Sequence, residues 1–282
     1  MAKLDRKVFI FIFILILCAI FSSCQTAGIP LKDKRLTANN EIVETHGQLQ
    51  NIVRLDAFIN NVKNEMKDKV RLTRYTTEGD PIYHDLDYAD SKLTFTMDTR
   101  EDEFGQGAVT KSICKGIQKQ ELETETNYIL TGCENESMKG LLTIFHDVDK
   151  EDNFAFELKY GVGKKNEINT KEERLIKDLQ NGETVAVSDF QFSKKEMNQI
   201  YKLLKLSNYL GDKNLTTKCN KKPNKSYELN VWINSGERHF EWTECDHSPD
   251  GKEMTKLVHD ILTILKKNPT YETLPKVKGN DE

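Results

Sequence analysis

The sequence predicts an α+β protein of two small domains, each an antiparallel sheet packed with one or two helices. Three observations predict it. Short runs of apolar and β-branched residues alternate with turn formers through most of the chain. Two longer segments, one early and one at the end, repeat apolar residues at helical spacing. A polar stretch at residues 134–139 interrupts the pattern, after which strands and helices begin again. With 282 residues the chain is long enough for one or two such cores.

The first element is a strand at residues 42–46. Asn51 then stands where an N-cap belongs, and Ile52, Leu55, Phe58, Ile59, Val62 and Met66 recur as one buried helix face. Strands follow at residues 70–77, 82–88 and 93–98, separated by Glu78-Gly79-Asp80-Pro81 and Ala89-Asp90-Ser91, both rich in turn formers. Residues 112–120 and 127–133 read as a hairpin around the polar turn 121–126, completing an antiparallel meander. Beyond 134–139, residues 141–145 and 154–160 read as strands. Ser193 and Glu196 match a capping box that opens a helix carrying Ile200, Tyr201, Leu203 and Leu204. Tyr227, Leu229, Val231 and Ile233 alternate as in a half-buried strand, and Asn234-Ser235-Gly236 turns it into a partner at 238–243. Ser248-Pro249 opens the last helix, on which Met254, Leu257, Val258, Ile261, Leu262 and Leu265 form one stripe. This places domains at residues 41–136 and 137–275, with a polar tail at 276–282.

The first 23 residues have the parts of an export signal. Lys3, Arg6 and Lys7 are a positive start, and residues 8–21 are an apolar run too short to span a bilayer comfortably. Phe21-Ser22-Ser23-Cys24 resembles the lipobox of bacterial lipoprotein signal peptides, with Phe21 in place of the usual aliphatic residue. The resemblance implies cleavage between Ser23 and Cys24 and a diacylglyceryl group on the Cys24 thiol. Two acyl chains give stable anchoring where one is marginal. Residues 24–40 then read as the lipidated N-terminus and a tether, which fully extended reaches roughly 50 Å. The expected location is the extracytoplasmic face of the cell membrane.

Six cysteines occur. Cys18 leaves with the signal and Cys24 takes lipid, so Cys114, Cys133, Cys219 and Cys245 remain, an even number that reads as disulfides in an exported chain. Cys114 and Cys133 lie equally far from the midpoint of the 121–126 turn, so a simple hairpin register sets them opposite each other. Pairing Cys219 with Cys245 brackets the second hairpin. The rival is zinc held by Cys219, Cys245, Asp246 and His247, which lacks the closely spaced cysteine pairs of structural sites.

The stretch HGQLQNIVRLDAFINNVKNEMKDKVRLTRYTTEGDPIYHDLDY, continued through CKGIQKQELETETNYILTGC, resembles a domain of unknown function found in Gram-positive lipoproteins, number 4362 in that series. The resemblance implies a small extracytoplasmic α+β domain without established enzyme activity, and offers no catalytic residues to carry over. FSKKEMNQIYKLLK, YELNVWINSG and TYETLP resemble, more loosely, a second uncharacterised module of such lipoproteins.

Chemistry-bearing motifs are sparse. The histidines at 46, 84, 146, 239, 247 and 259 lack the helical pairing of a zinc peptidase, and neither a Gly-x-Ser-x-Gly elbow nor a P-loop occurs. His259 reads as a surface or boundary residue. Asp147 to Asn153 superficially resembles a calcium loop, but Asp152 stands where glycine is needed and Leu158 where the closing acid is needed. That segment, like Asp98 to Glu103, reads as a solvated acidic turn. Trp232 and Trp242 on facing strands offer an aromatic platform, although core packing is the default.

The formal net charge is −4. Losing residues 1–23 removes Lys3, Arg6, Lys7 and Asp5 and leaves 38 basic against 44 acidic side chains. Such a mixed, mildly acidic surface gives no drive toward nucleic acid. The expectation is a non-enzymatic interaction or sensor module, with no cofactor or metal. Its partners are the membrane, through lipid on Cys24, and an envelope protein or cell-wall component. Two alternatives stand: an envelope hydrolase with an unrecognised carboxylate site, and a small-molecule-binding lipoprotein with an apolar pocket between sheet and helix.

Overall fold

A computed structural model describes residues 40–279. The export segment, Ser23, Cys24 and nearly all of the expected tether lie outside the described residues. The described residues fall in one compact unit, inside which two hydrophobic cores form. Its secondary structure is mostly antiparallel strand with a few helices, an α+β architecture.

The first core begins with β1 (Glu41–Thr45) and β2 (Gln48–Gln50), turned at His46 and Gly47. Helix α1 (Val53–Lys63) buries Leu55, Phe58 and Ile59. Asn51 does not act as the side-chain cap. It adopts a left-handed φ of 58° and donates from Nδ2 to the Glu41 carbonyl at 3.0 Å, so it holds the turn into the helix instead. Strands β3 (Asp68–Tyr75), β4 (Pro81–Ala89), β5 (Lys92–Asp98) and β6 (Val109–Cys114) complete a six-stranded sheet in the order β2-β1-β3-β4-β5-β6. The β1–β3 pairing is parallel, a departure from the expected all-antiparallel meander that follows from α1 acting as a crossover.

The expected strand 112–120 is two strands. After β6 the chain passes at Lys115 into β7 (Gly116–Glu121), which joins β8 (Glu125–Thr131) and β9 (Gly140–Phe145) in a separate three-stranded sheet. The hairpin register, with Gly116 opposite Thr131 and Glu121 opposite Thr126, extends to Cys114 and Cys133. A disulfide joins these two cysteines. Helix α1 packs against both sheets. Tyr128, fully buried on β8, donates its hydroxyl to Asp56 of α1 at 2.9 Å, and Lys119 Nζ of β7 reaches the same carboxylate at 3.1 Å. Leu141, Leu142 and Ile144 of β9 belong to this core.

The second core lies on one face of a six-stranded antiparallel sheet. Its strands are β10 (Phe154–Val162), β11 (Asn166–Asn169), β12 (Arg174–Asp178), β13 (Thr184–Val187), β14 (Lys225–Ile233) and β15 (Gly236–Thr243), in the order β13-β12-β11-β10-β14-β15. Helices α2 (Lys194–Leu206) and α3 (Pro249–Leu265) bury Ile200, Tyr201 and Leu204, and Met254, Leu257, Val258, Ile261 and Leu265. The capping box is complete: Ser193 Oγ accepts from Glu196 N–H while the Glu196 carboxylate accepts from Ser193 N–H at 2.7 Å. Glu196 also accepts from Nδ2 of Asn268, the buried N-cap of the short helix α4 (Pro269–Glu272), which fixes Tyr271 against the sheet end.

Candidate functional site

A row of core-facing residues crosses the second sheet. Register places Trp242 opposite Tyr227, Tyr227 opposite Tyr160, and Tyr160 opposite Asn166. The β11–β12 pairing continues the row toward Lys177, whose own partner is Val185. The row starts fully apolar: Trp242 is 0% exposed, stacks on Tyr227 at 5.2 Å and donates its indole N–H to Thr255 of α3 at 3.0 Å. It ends polar, and there the sheet and α3 separate around a cavity of about 330 Å³.

The floor of the cavity is Tyr160, Asn166, Lys177 and Tyr227; Leu262, Leu265 and Lys266 from the C-terminal end of α3 form its roof. Tyr271 closes one side. Val277 closes another, because Lys278 donates its backbone N–H to the Leu179 carbonyl at 2.9 Å and its Nζ to Glu183 at 3.0 Å. Lys278 and Gly279 are therefore laid against the β12–β13 turn. Asn166 shapes the edge by accepting from Asp178 N–H at 2.9 Å. Gly161 beside it has a φ of +95°, and a Cβ there would meet Asn166 Nδ2 at 2.9 Å, so both conformation and space call for glycine.

Lys177 is the unusual member. It follows buried Leu175 by two residues on β12, so strand alternation points it at the core side, and it is only 8% exposed. Among the described residues its ammonium has no carboxylate partner. Its contact is the face of the Tyr271 ring, 4.4 Å from Nζ to centroid. Burial lowers its pKa from the ordinary lysine value. Burial conversely raises the phenols of Tyr160, Tyr227 and Tyr271, so all three hydroxyls stay protonated and able to donate. None of them has a hydrogen-bond partner among the described residues. The exposed side chains of Lys225, His259 and Lys266 stand at the rim. Asp178 also lines the cavity, with a carboxylate oxygen accepting from Gln180 N–H at 3.0 Å.

The other sequence candidates fall elsewhere. Cys219 and Cys245 are disulfide-bonded. Asp246 accepts from Thr216 N–H at 2.8 Å and Ser248 N–H at 3.0 Å, so it fixes the entry to α3 and the zinc alternative has no ligand set. In the acidic segment after His146, Asp147 caps a short turn, Asp149 pairs with Lys194, and Glu151 accepts from Tyr201 at 2.6 Å and Asn234 at 2.9 Å. Asp98 is held below the usual carboxylate range, first by its hydrogen-bonded pair with Arg100. Among the described residues no group of three or more metal-ligating side chains comes together. The two tryptophans do not form a platform. Trp242 faces the core, whereas Trp232 lies on the opposite face of the sheet beneath Lys171 Nζ, 4.6 Å from its ring centroid. Lys177 had no sequence motif to mark it; a charged residue at the core-facing phase of a short strand was the only available sign.

The fold and the cavity together define an α+β protein with a small, partly enclosed cationic and phenolic site at the end of its second sheet. The family described as Domain of unknown function (DUF4362) matches residues 39–129, about a third of the chain. The match covers the first core up to β8 and leaves the cavity outside it. No curated protein and no solved structure matches the chain. Among the described residues no helix is long and apolar enough to cross a membrane.

Proposed function

We propose that the chain is a lipid-anchored protein of the extracytoplasmic membrane face whose folded part is a non-enzymatic binding module. The anchor reading rests on the signal-like residues 1–23 and the lipobox-like approach to Cys24, and the two disulfides fit an oxidising compartment. One observation carries the binding reading: a cavity of about 330 Å³ lined by a buried lysine and three phenols, groups that donate hydrogen bonds and hold a ligand in place.

Intact mass of the protein from membranes, before and after thiol alkylation without reductant, tests the anchor. The expected mass is that of a chain beginning at Cys24 with a diacylglyceryl increment and no alkylated thiol. An unlipidated mass that retains residues 1–23, or cysteines that alkylate, overturns it. Incubation with purified cell-wall polymers tests the non-enzymatic half. No fragments should be released, and release by the pure chain overturns that half.

A further inference from the structure

The cavity at the end of the second sheet is built for charge, and the geometry points to a small organic monoanion, a carboxylate on a short apolar or aromatic body, as its ligand. The inference rests on the binding reading above and gives it a ligand class. An ammonium taken out of water needs a counter-charge or strong hydrogen-bond acceptors. Lys177 is largely buried, and among the described residues its ammonium has only the Tyr271 ring. A carboxylate in the cavity supplies what is missing, and the protonated hydroxyls of Tyr160, Tyr227 and Tyr271 are further donors available to its oxygens. The depressed proton affinity of Lys177 recovers when an anion sits beside it, so ligand binding and the lysine's charge support each other.

Charge and size narrow the class. The C-terminal end of α3 forms the roof, and the exposed carbonyls of a helix C-terminus carry partial negative charge. One buried lysine balances one negative charge there, the Asp178 carboxylate at the edge being held by Gln180 N–H; a phosphate dianion would leave a second negative charge facing both that helix end and Asp178. The rim lysines Lys225 and Lys266 are solvated and screened, so they guide an anion inward more than they neutralise it. Leu262, Leu265 and Val277 offer apolar walls for the remainder of the molecule. The volume stands at the lower end of the roughly 300–1,000 Å³ typical of ligand pockets, which fits a small molecule rather than a polymer segment.

The test titrates the full chain in detergent with benzoate, its neutral isostere benzamide, and inorganic phosphate, read by calorimetry and by tryptophan fluorescence through the Tyr227–Trp242 stack. Benzoate should bind, with benzamide and phosphate weaker. Lys177→Met should weaken benzoate by about 10- to 100-fold, the span of one buried charge-assisted hydrogen bond. Its near-ultraviolet dichroism should match the wild type. Benzamide binding as well as benzoate overturns the anionic class while leaving a binding module standing. Benzoate binding equally to Lys177→Met overturns the role of this site. No binding of any probe at millimolar concentration overturns both the ligand class and the binding reading. The benzoate–benzamide comparison on the unmodified chain decides the class even if the variant fails to fold.

Discussion

Acidification from pH 7 to 4.5 should cost the fold about 2.5 kcal/mol through His84 alone. His84 is on β4, 8% exposed, and stacks on Phe95 with ring centroids 5.7 Å apart. Its Nδ1 is buried without a hydrogen-bond partner. Burial, reinforced by the nearby positive charge of Arg74, pushes its pKa from 6.5 down to about 4. The folded state therefore keeps the ring neutral while the unfolded chain takes up a proton below pH 6.5. Stability is unaffected above that value and falls as pH drops toward 4, because the unfolded state binds the extra proton. The carboxylates with lowered pKa values, such as Asp68 and Asp98, lose their contribution mainly below this window. His146, also lowered by burial, adds to the loss in the wild type but is common to both proteins in a comparison with His84→Leu. Urea unfolding at pH 7 and 4.5 should show the wild type losing about 2.5 kcal/mol more than His84→Leu. Parallel losses in the two proteins would refute the claim that the ring is held neutral by its surroundings.

Further outcomes follow from the packing. Reducing either disulfide should destabilise by about 3 kcal/mol on the loop-entropy estimate, measured as the shift in urea midpoint with and without reductant. Glu196→Ala removes the capping box and the tie to Asn268 together, so it should cost about 1–2 kcal/mol in thermal unfolding. Trp242→Ala empties the centre of the second core and should cost about 3–5 kcal/mol; a loss below about 1 kcal/mol would mean the indole is not packed as described.

Much of this fold was legible because local signals agreed with one another. Ser193 and Glu196 announce a helix start that the structure builds, and the stripe from Met254 to Leu265 is buried against the sheet as its spacing requires. The symmetric placement of Cys114 and Cys133 about the turn anticipates the β7–β8 register. What was not legible depends on partners distant in sequence. β11, β12 and β13 are four or five residues long, and in the first two Glu167, Arg174 and Lys177 break the apolar alternation. The parallel β1–β3 pairing depends on where α1 returns the chain. Asn51 shows local preference overruled: a strong N-cap residue is recruited instead to hold β1. The cavity was hidden for the same reason, since Lys177, Tyr227 and Tyr271 lie far apart along the chain and only the completed sheet aligns them.

The single-residue step at Lys115, where the chain leaves one sheet for another, is bridged by the Cys114–Cys133 disulfide. Under a pulling force on the chain ends, tension passes through that sulfur bridge and bypasses β7 and β8. The two disulfides close loops with sequence separations of 19 and 26, withholding roughly 65 and 90 Å of contour at about 3.5 Å per residue. A protein stretched from its two ends would thus reach full extension early, with the β7–β8 hairpin still slack and able to stay folded.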